Sequence, residues 1–363
     1  MYTTQDKVIL WLSSFDFISY KKAMQIIEEF DLEDLFNNLR DYKNKLLRII
    51  KANEYEELLS NNNLLVVSNL LSNYEAKDIK IVTYKSKFYP ELLREIDCPP
   101  IILYCKGNID LLNSDCLAVV GTRRATNYGK TMCKKIVNEV STEGITIVSG
   151  LAEGIDTVAH KSCLEVNGKT IAVLGSGLLN IYPASNEGLF TEIVEKGGLV
   201  ISEYKPNEPS VTYHFPVRNR IIAGLSKATF IVEATEKSGS MHTKNYAIEY
   251  NREVFALPAR INDIYSIGCN KIISNGQARM LLGSKDIIEF YGKSKKSSNK
   301  VNSIQLSYEE QIIYDALDLN EMNIDEILIK TKMETKVLLT MLMRMEIKGI
   351  IQKLPGNIYA IVR

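Results

Sequence analysis

Between Leu117 and Tyr291 the chain repeats one pattern: a short, uninterrupted apolar run, then ten or more residues with helical spacing. The runs are LAVV (117–120), TIV (146–148), TIAVL (170–174), LVIS (199–202), ATFIVE (228–233) and EVFAL (253–257). They do not alternate apolar with polar residues, so each strand must be covered on both faces. Strands of this kind joined by helices predict an open, doubly wound α/β sheet.

The flanks read differently. Residues 1 to about 75 carry Ile9, Leu10 and Trp11, then Ala23, Ile26, Ile27 and Phe30, at helical intervals. Asp31 is placed to cap a helix, with Asp34 three residues on, and SNNN (60–63) marks a turn. A strand is expected over Ile79–Tyr84, and DCPPIILYCKGN reads as an extended piece broken by prolines. After the sheet, KSKKSSNKVNS (293–303) is a hydrophilic linker. Three amphipathic segments follow, YEEQIIYDAL, IDEILIKT and METKVLLTMLMRMEIKG, then a hairpin turning at Pro355-Gly356-Asn357. Three helices closed by a hairpin is winged-helix order. The expected division is 1–75, 76–292, the linker 293–303 and 304–363.

Several function classes are excluded. The 363 residues balance 44 Lys plus Arg against 44 Asp plus Glu, so the chain is not coated in basic charge, which leaves room for a local basic groove. No apolar run approaches the ~20 residues that span a bilayer, and MYTTQDKVILWL has no basic start or cleavage site. The six cysteines form no CxxC pair and read as reduced, buried thiols of a cytoplasmic protein. His160, His214 and His242 share no metal-ligand spacing with each other or with a cysteine, so no metal or other cofactor is expected.

In such sheets ligands bind beyond the carboxyl ends of the strands. The first loop, GTRRATNYG (121–129), is not GxGxxG, and the second strand ends Ser149-Gly150 without the acid that holds a ribose, which argues against a dinucleotide. Arg123 and Arg124 at a sheet–helix junction suit an anionic phosphate. In SGLAEGIDTVAH (149–160), Asp156 and His160 stand four apart, as an acid–base dyad or, more simply, a helix-stabilising pair or an interior histidine. The Gly-Ser-Gly of GSGLLNIYPASN (175–186) lets a ligand or another backbone come close. The long loop 202–226 carries Lys205, Tyr213, His214, Phe215, Arg218 and Arg220, aromatic faces mixed with charge as single-stranded nucleic acid requires, although aromatics there equally suit a core. Ser238-Gly239-Ser240 with Thr243 offers an anion nest at a helix start, or an ordinary cap.

Taken in order, GTRRATNYG, SGLAEGID-x-x-AH, GSGL-x-x-x-YP-x-x-N, FPVRNRIIAGLS, KSGSMHT and GCNKIISNG resemble the DNA-processing protein A family (DprA/Smf), over about residues 80–290. The resemblance implies an extended Rossmann-like sheet with no enzymatic activity, a helical N-terminal module of sterile-alpha-motif or helix-hairpin-helix type and a C-terminal winged helix. It implies a homodimer that binds single-stranded DNA, protects it during natural transformation and loads the RecA recombinase. The expected DNA-binding set is Arg123, Arg124, Lys161, Lys205, Phe215, Arg218, Arg220 and Lys237, with Gly121, Ser238, Gly239, Ser240 and Thr243 as the phosphate nest. On this reading Arg123 contacts the DNA backbone, a base stacks on Phe215, and Arg218 and Arg220 line the same mouth or pair with acids to build it. Asn186, Asn219 and Asn270 match motif positions without an evident role. Two departures stand out: Glu153 occupies a position that is basic in many members, so that either the site binds DNA more weakly or Lys161 or Lys205 supplies the charge, and Pro258-Ala259 replaces a Pro-Gly.

Two alternatives come from other classes. KSGSMHT faintly resembles the phosphate loop of nucleotide phosphoribohydrolases, but Asn245 stands where they carry a catalytic Glu, and an amide cannot act as general acid or base. A transcription regulator would read duplex DNA through the third C-terminal helix, which holds Lys336, Arg344 and Lys348 among Leu338, Leu339, Leu342 and Met345. That apolar stripe reads more simply as core, which leaves the C-terminal domain an accessory contact to duplex DNA or to a protein.

Overall fold

The structure is a computed structural model and describes residues 2–293, 306–317, 321–354 and 356–361. It divides into two compact units, Met1–Lys295 and Lys296–Arg363. The expected linker lies, from Ser294 on, outside the described residues, as does Pro355 of the expected turn.

The first unit opens with helices α1 (Thr4–Ser13), α2 (Tyr20–Glu29), α3 (Leu32–Asn37), α4 (Lys43–Leu46), α5 (Ala52–Ser60) and α6 (Leu64–Glu75). Asp31 caps α3 by accepting from the Asp34 amide. Trp11 is enclosed edge-on by Phe15 and Phe36, and its indole N–H donates to the Asn61 carbonyl at 2.9 Å. The α/β part follows as β1 (Lys80–Thr83), α7 (Glu91–Arg94), β2 (Ile102–Gly107), β3 (Cys116–Val120), α8 (Asn127–Thr142), β4 (Thr146–Ser149), α9 (Ile155–Glu165), β5 (Thr170–Val173), α10 (Glu187–Glu195), β6 (Leu199–Ser202), α11 (His214–Gly224), β7 (Ala228–Ile231), α12 (Ser240–Glu249), β8 (Glu253–Ala256), α13 (Ile267–Ser274), β9 (Arg279–Met280) and α14 (Ser284–Phe290).

These strands form a nine-stranded sheet in the order β1-β2-β6-β5-β4-β3-β7-β8-β9. From β6 through β9 neighbours run parallel, while β2 joins β6 and β1 joins β2 antiparallel. The chain moves outward from β3 to β6, then returns to the other side of β3 with β7, which places the topological switch point between β3 and β7. The continuous apolar runs feed two layers. Ala118 and Val120 enter the core on one face, Leu117 and Val119 the core on the other. On the second face, under β5 and β6, Ala172 and Val200 join the core of the N-terminal helices. Residues 1–75 and 76–292, distinct in sequence pattern, thus pack into one unit.

The second unit contains α15 (Tyr308–Leu317), β10 (Met322–Asn323), α16 (Ile324–Thr331), α17 (Thr335–Ile347), β11 (Ile351–Leu354) and β12 (Ile358–Ile361), with sheet order β10-β12-β11. Ile313, Ile327, Leu338, Leu342 and Met345 form its core. Asn323 and Glu326 cap α16 reciprocally, and Lys348 pairs with the buried Glu310 at 2.6 Å. No described helix is long and apolar enough to cross a membrane. Five of the six cysteines are buried free thiols, and Cys98 is exposed.

His160 and Asp156 do not form a dyad. His160 is fully buried under the sheet, its Nδ1 2.7 Å from the Thr170 hydroxyl. That hydroxyl donates to the Ile147 carbonyl, so Nδ1 carries the proton and Nε2, without a partner among the described residues, is a bare lone pair. Burial, with the Arg218 charge adding to it, lowers the imidazole from 6.5 to about 3. Between those values the unfolded chain binds a proton that the fold refuses, so stability falls as pH drops through the window. At pH 5 the loss relative to neutral pH is about 2 kcal/mol. In His160→Asn, whose amide can keep the Thr170 bond, the difference between denaturation midpoints at pH 7 and pH 5 should shrink accordingly.

Candidate nucleic-acid interface

The loops after β3, β4, β5 and β7 converge on a cleft of about 440 Å³ at the switch point. It is built from α11. Residues 202–226, read as one long loop, contain this helix, and it has no apolar stripe because most of its circumference is buried. Arg218, 4% exposed, points inward from α11 and donates through Nη1 to the Gly150 carbonyl at 2.7 Å and to the Val173 carbonyl, while Nε donates to the Asn219 side chain at 3.2 Å. The carbonyls at the ends of β4 and β5 are thereby gathered onto one guanidinium. Burial lowers Arg218 to about 10, and the Asp156 charge opposes that shift. Asp156 accepts from the Gly150 and Ala152 amides at 3.1 and 3.3 Å; burial raises its carboxyl, against the pull of Arg218.

One helical turn before Arg218, Phe215 lies over Gly175, where a Cβ would come within 2.8 Å of the ring. This is the close approach that the Gly-Ser-Gly turn permits. Tyr182 packs against Phe215 at 5.3 Å between centroids, and the exposed Arg123 guanidinium stands 5.8 Å over the same ring. Glu233, fully buried at the end of β7, holds the Arg123 loop: it accepts from the Thr126 amide and hydroxyl at 2.9 and 2.5 Å, and its carbonyl accepts from the Thr122 amide at 2.7 Å. The opposite wall is the start of α12, with Gly121, Ser238, Gly239, Ser240 and Thr243 lining the cleft. Thr243 is buried there and its hydroxyl has no partner among the described residues. One cation over an aromatic ring, in a cleft that the start of α12 also lines, can hold a phosphate beside a planar base.

The remaining expected residues lie elsewhere. Arg124 is exposed on the Arg123 turn, and Lys237 is exposed just before the nest, both outside the lining of the cleft. Lys161 is exposed on α9, also outside it. Arg220 does not share the mouth with Arg218, because two residues turn a helix by ~200°. It is 9% exposed, pairs with Glu203 at 2.5 Å and lines a separate cavity of about 590 Å³, so of the two roles considered it takes the pairing one. Lys205 lines that second cavity and pairs with Asp16 at 3.1 Å. Neither Lys161 nor Lys205 therefore offsets Glu153, which shares a small recess with Arg123 and accepts from Ser185. Asn245 lines a third depression with Glu236 and Lys271.

The three asparagines acquire roles. Asn186 donates to the Leu151 carbonyl and Thr157 hydroxyl, and Asn219 ties Arg218 to the Gly239 carbonyl. Asn270 bonds both the N–H and the C=O of Ala259, which secures the turn that lacks its glycine. Sequence reasoning missed Glu233 and Tyr182 as parts of the site. The signal for the first was an acid ending an otherwise apolar strand.

Comparison with protein families matches residues 80–292 to the DNA recombination-mediator protein A model. The chain belongs to this family. Residues 299–357 match the DprA winged helix domain. Protein Smf of Synechocystis is 42% identical over 241 residues, 65% of this chain and 60% of that protein's length. DNA processing protein DprA of Streptococcus pneumoniae is 44% identical over 200 residues, 55% of this chain and 70% of that protein. The X-ray structure of the S. pneumoniae protein covers 80% of this chain and 98% of its own at TM-score 0.62 and 32% identity. A Helicobacter pylori DNA processing protein A structure, solved for the single-stranded DNA binding mode of that protein, covers 59% of this chain and 95% of its own at TM-score 0.54 and 32% identity.

Gly150 is one position where the site leaves no room for a side chain. A Cβ there would lie 2.5 Å from Arg218 Nη2 and 2.8 Å from Asp156 Oδ2. Gly150→Ala should cost about 1–3 kcal/mol in urea unfolding, the range for overpacking a filled interior. An unchanged midpoint would mean that Arg218 can leave its carbonyls freely.

Proposed function

We propose that this family member binds single-stranded DNA in the cleft at the switch point. The observation that carries the reading is Arg123 over the Phe215 ring, against which Tyr182 packs, in a cleft also lined by the start of α12. Arg123 is the charge free to meet a phosphate, because Arg218 is occupied by carbonyls inside the wall. Phe215 and Tyr182 present faces to bases, and the nest at Ser238–Thr243 takes a second phosphate. Arg124 and Lys237, exposed on either side, extend the path of the strand. Membership of the family supports the wider role: a cytoplasmic recombination mediator, acting as a homodimer, that protects incoming DNA in natural transformation and loads the RecA recombinase onto it.

Fluorescence anisotropy of labelled oligo-dT, titrated with wild type, Arg123→Ala and Phe215→Ala, tests the reading. Each substitution should weaken binding by more than ~1 kcal/mol, through a lost charge-assisted contact or a lost stacking face. A folded Arg123→Ala protein with unchanged affinity would remove the residue from the interface. Wild-type affinity should also fall with salt, the log–log slope being about −0.7 for each phosphate neutralised. A flat response, or tighter binding to the matching duplex, contradicts a single-strand groove of this kind.

A further inference from the structure

Helix α17 of the C-terminal unit is apolar on two faces. Leu338, Leu342 and Met345 are buried in the core. Turned away from them by roughly 120°, Leu339 and Met343 are 45% and 66% exposed. Exposed Lys336 precedes this pair and exposed Glu346 follows it, neither with an ion-pair partner among the described residues. Lys336, Leu339, Met343 and Glu346 are spaced three, four and three apart, the spacing of one coiled-coil seam. Ile347, 80% exposed, borders the same face.

This face suits neither solvent nor a DNA groove. Base edges call for hydrogen-bonding side chains, and the Glu346 carboxylate repels phosphates. It does suit itself. When a second copy of α17 is laid antiparallel so that Leu339 meets the partner's Met343, Lys336 meets the partner's Glu346, and the two-fold repeats both contacts. An isologous surface requires this reciprocity.

We propose that two copies of this chain associate through their C-terminal units, α17 against α17, with a Leu339–Met343 seam closed at both ends by Lys336–Glu346 ion pairs. The seam is short, so it is weak between free molecules and gains from proximity when copies already lie side by side, as on one DNA strand. It is separate from any pairing of the central units.

Sedimentation velocity of the full-length chain over a range of concentrations tests the proposal with wild type, Lys336→Glu, Glu346→Lys and the double swap. All the changes are at exposed positions, and circular dichroism checks the fold. Each single swap sets like charges across the seam twice and should weaken association at least ~fivefold. The double swap restores opposite charges and should return to within ~twofold of wild type. Four coincident curves, the result if only the central units associate, overturn the proposal, as does a double swap no tighter than the singles. So does a change confined to duplex DNA affinity, with self-association unaltered, because the face then reads DNA.

Discussion

A buried guanidinium organises the central unit. Removing the Arg218 charge from water is costly unless its donors are met, and here three of its five N–H groups are met by carbonyls at the ends of two strands and by the Asn219 side chain. The nearby Asp156 carboxylate balances the charge through the Gly150 peptide, whose N–H it binds while Arg218 binds the C=O. The arrangement fixes the rotation of α11 relative to the sheet. With that rotation set, Phe215, one turn earlier, has only the surface over Gly175 to occupy. Arg123 then finds an aromatic face beneath it. A charge that never reaches the solvent therefore determines where the exposed charge stands.

The zero net charge of the chain is compatible with a basic site because the cations in this region are held differently. Arg220 and Lys205 are neutralised by Glu203 and Asp16 around the second cavity, and Lys271 is paired with Glu236. Among the described residues Arg123 has no such acid; its neighbour is an aromatic ring, which steadies a cation without discharging it. The amides at the start of α12 add partial positive charge on the facing wall. Glu153, in the recess beside Arg123, works against this field. On the proposed reading it repels phosphates toward the α12 side of the cleft and leaves the Phe215–Tyr182 side to bases.

The strands were legible because burial on both faces keeps charge out of the interior of a run and lets apolar residues stand side by side, and all six runs became strands. The strand at 80–83 and the cap at Asp31 were legible for equally local reasons. Helix α11 was not, since a helix enclosed on most sides has no polar face to set the period, and its arginines look like loop charges until their phase is known. Arg218 and Arg220 illustrate the loss: adjacent in pattern, they serve two cavities. Strand β9 has only two residues, Arg279 and Met280, both exposed, so neither length nor apolarity marks it. The asparagines were visible as motif letters but silent as chemistry, because their partners are backbone groups far away in sequence.

The two units differ in how they meet their surroundings. The central cleft offers charge and rings to a flexible strand and needs no complementarity of shape beyond that. Helix α17 offers methyl and thioether groups between opposite charges, a pattern whose complement is its own reverse. A regulator that reads duplex sequence would need the polar face in the place where this chain is apolar. The same chain thus carries a surface suited to a long polyanion and another suited to its own kind. On the two proposals together, the first surface would line copies up along a strand and the second would act at the raised local concentration, where a seam of four residues per helix suffices because the DNA has already met the entropy of bringing the copies together.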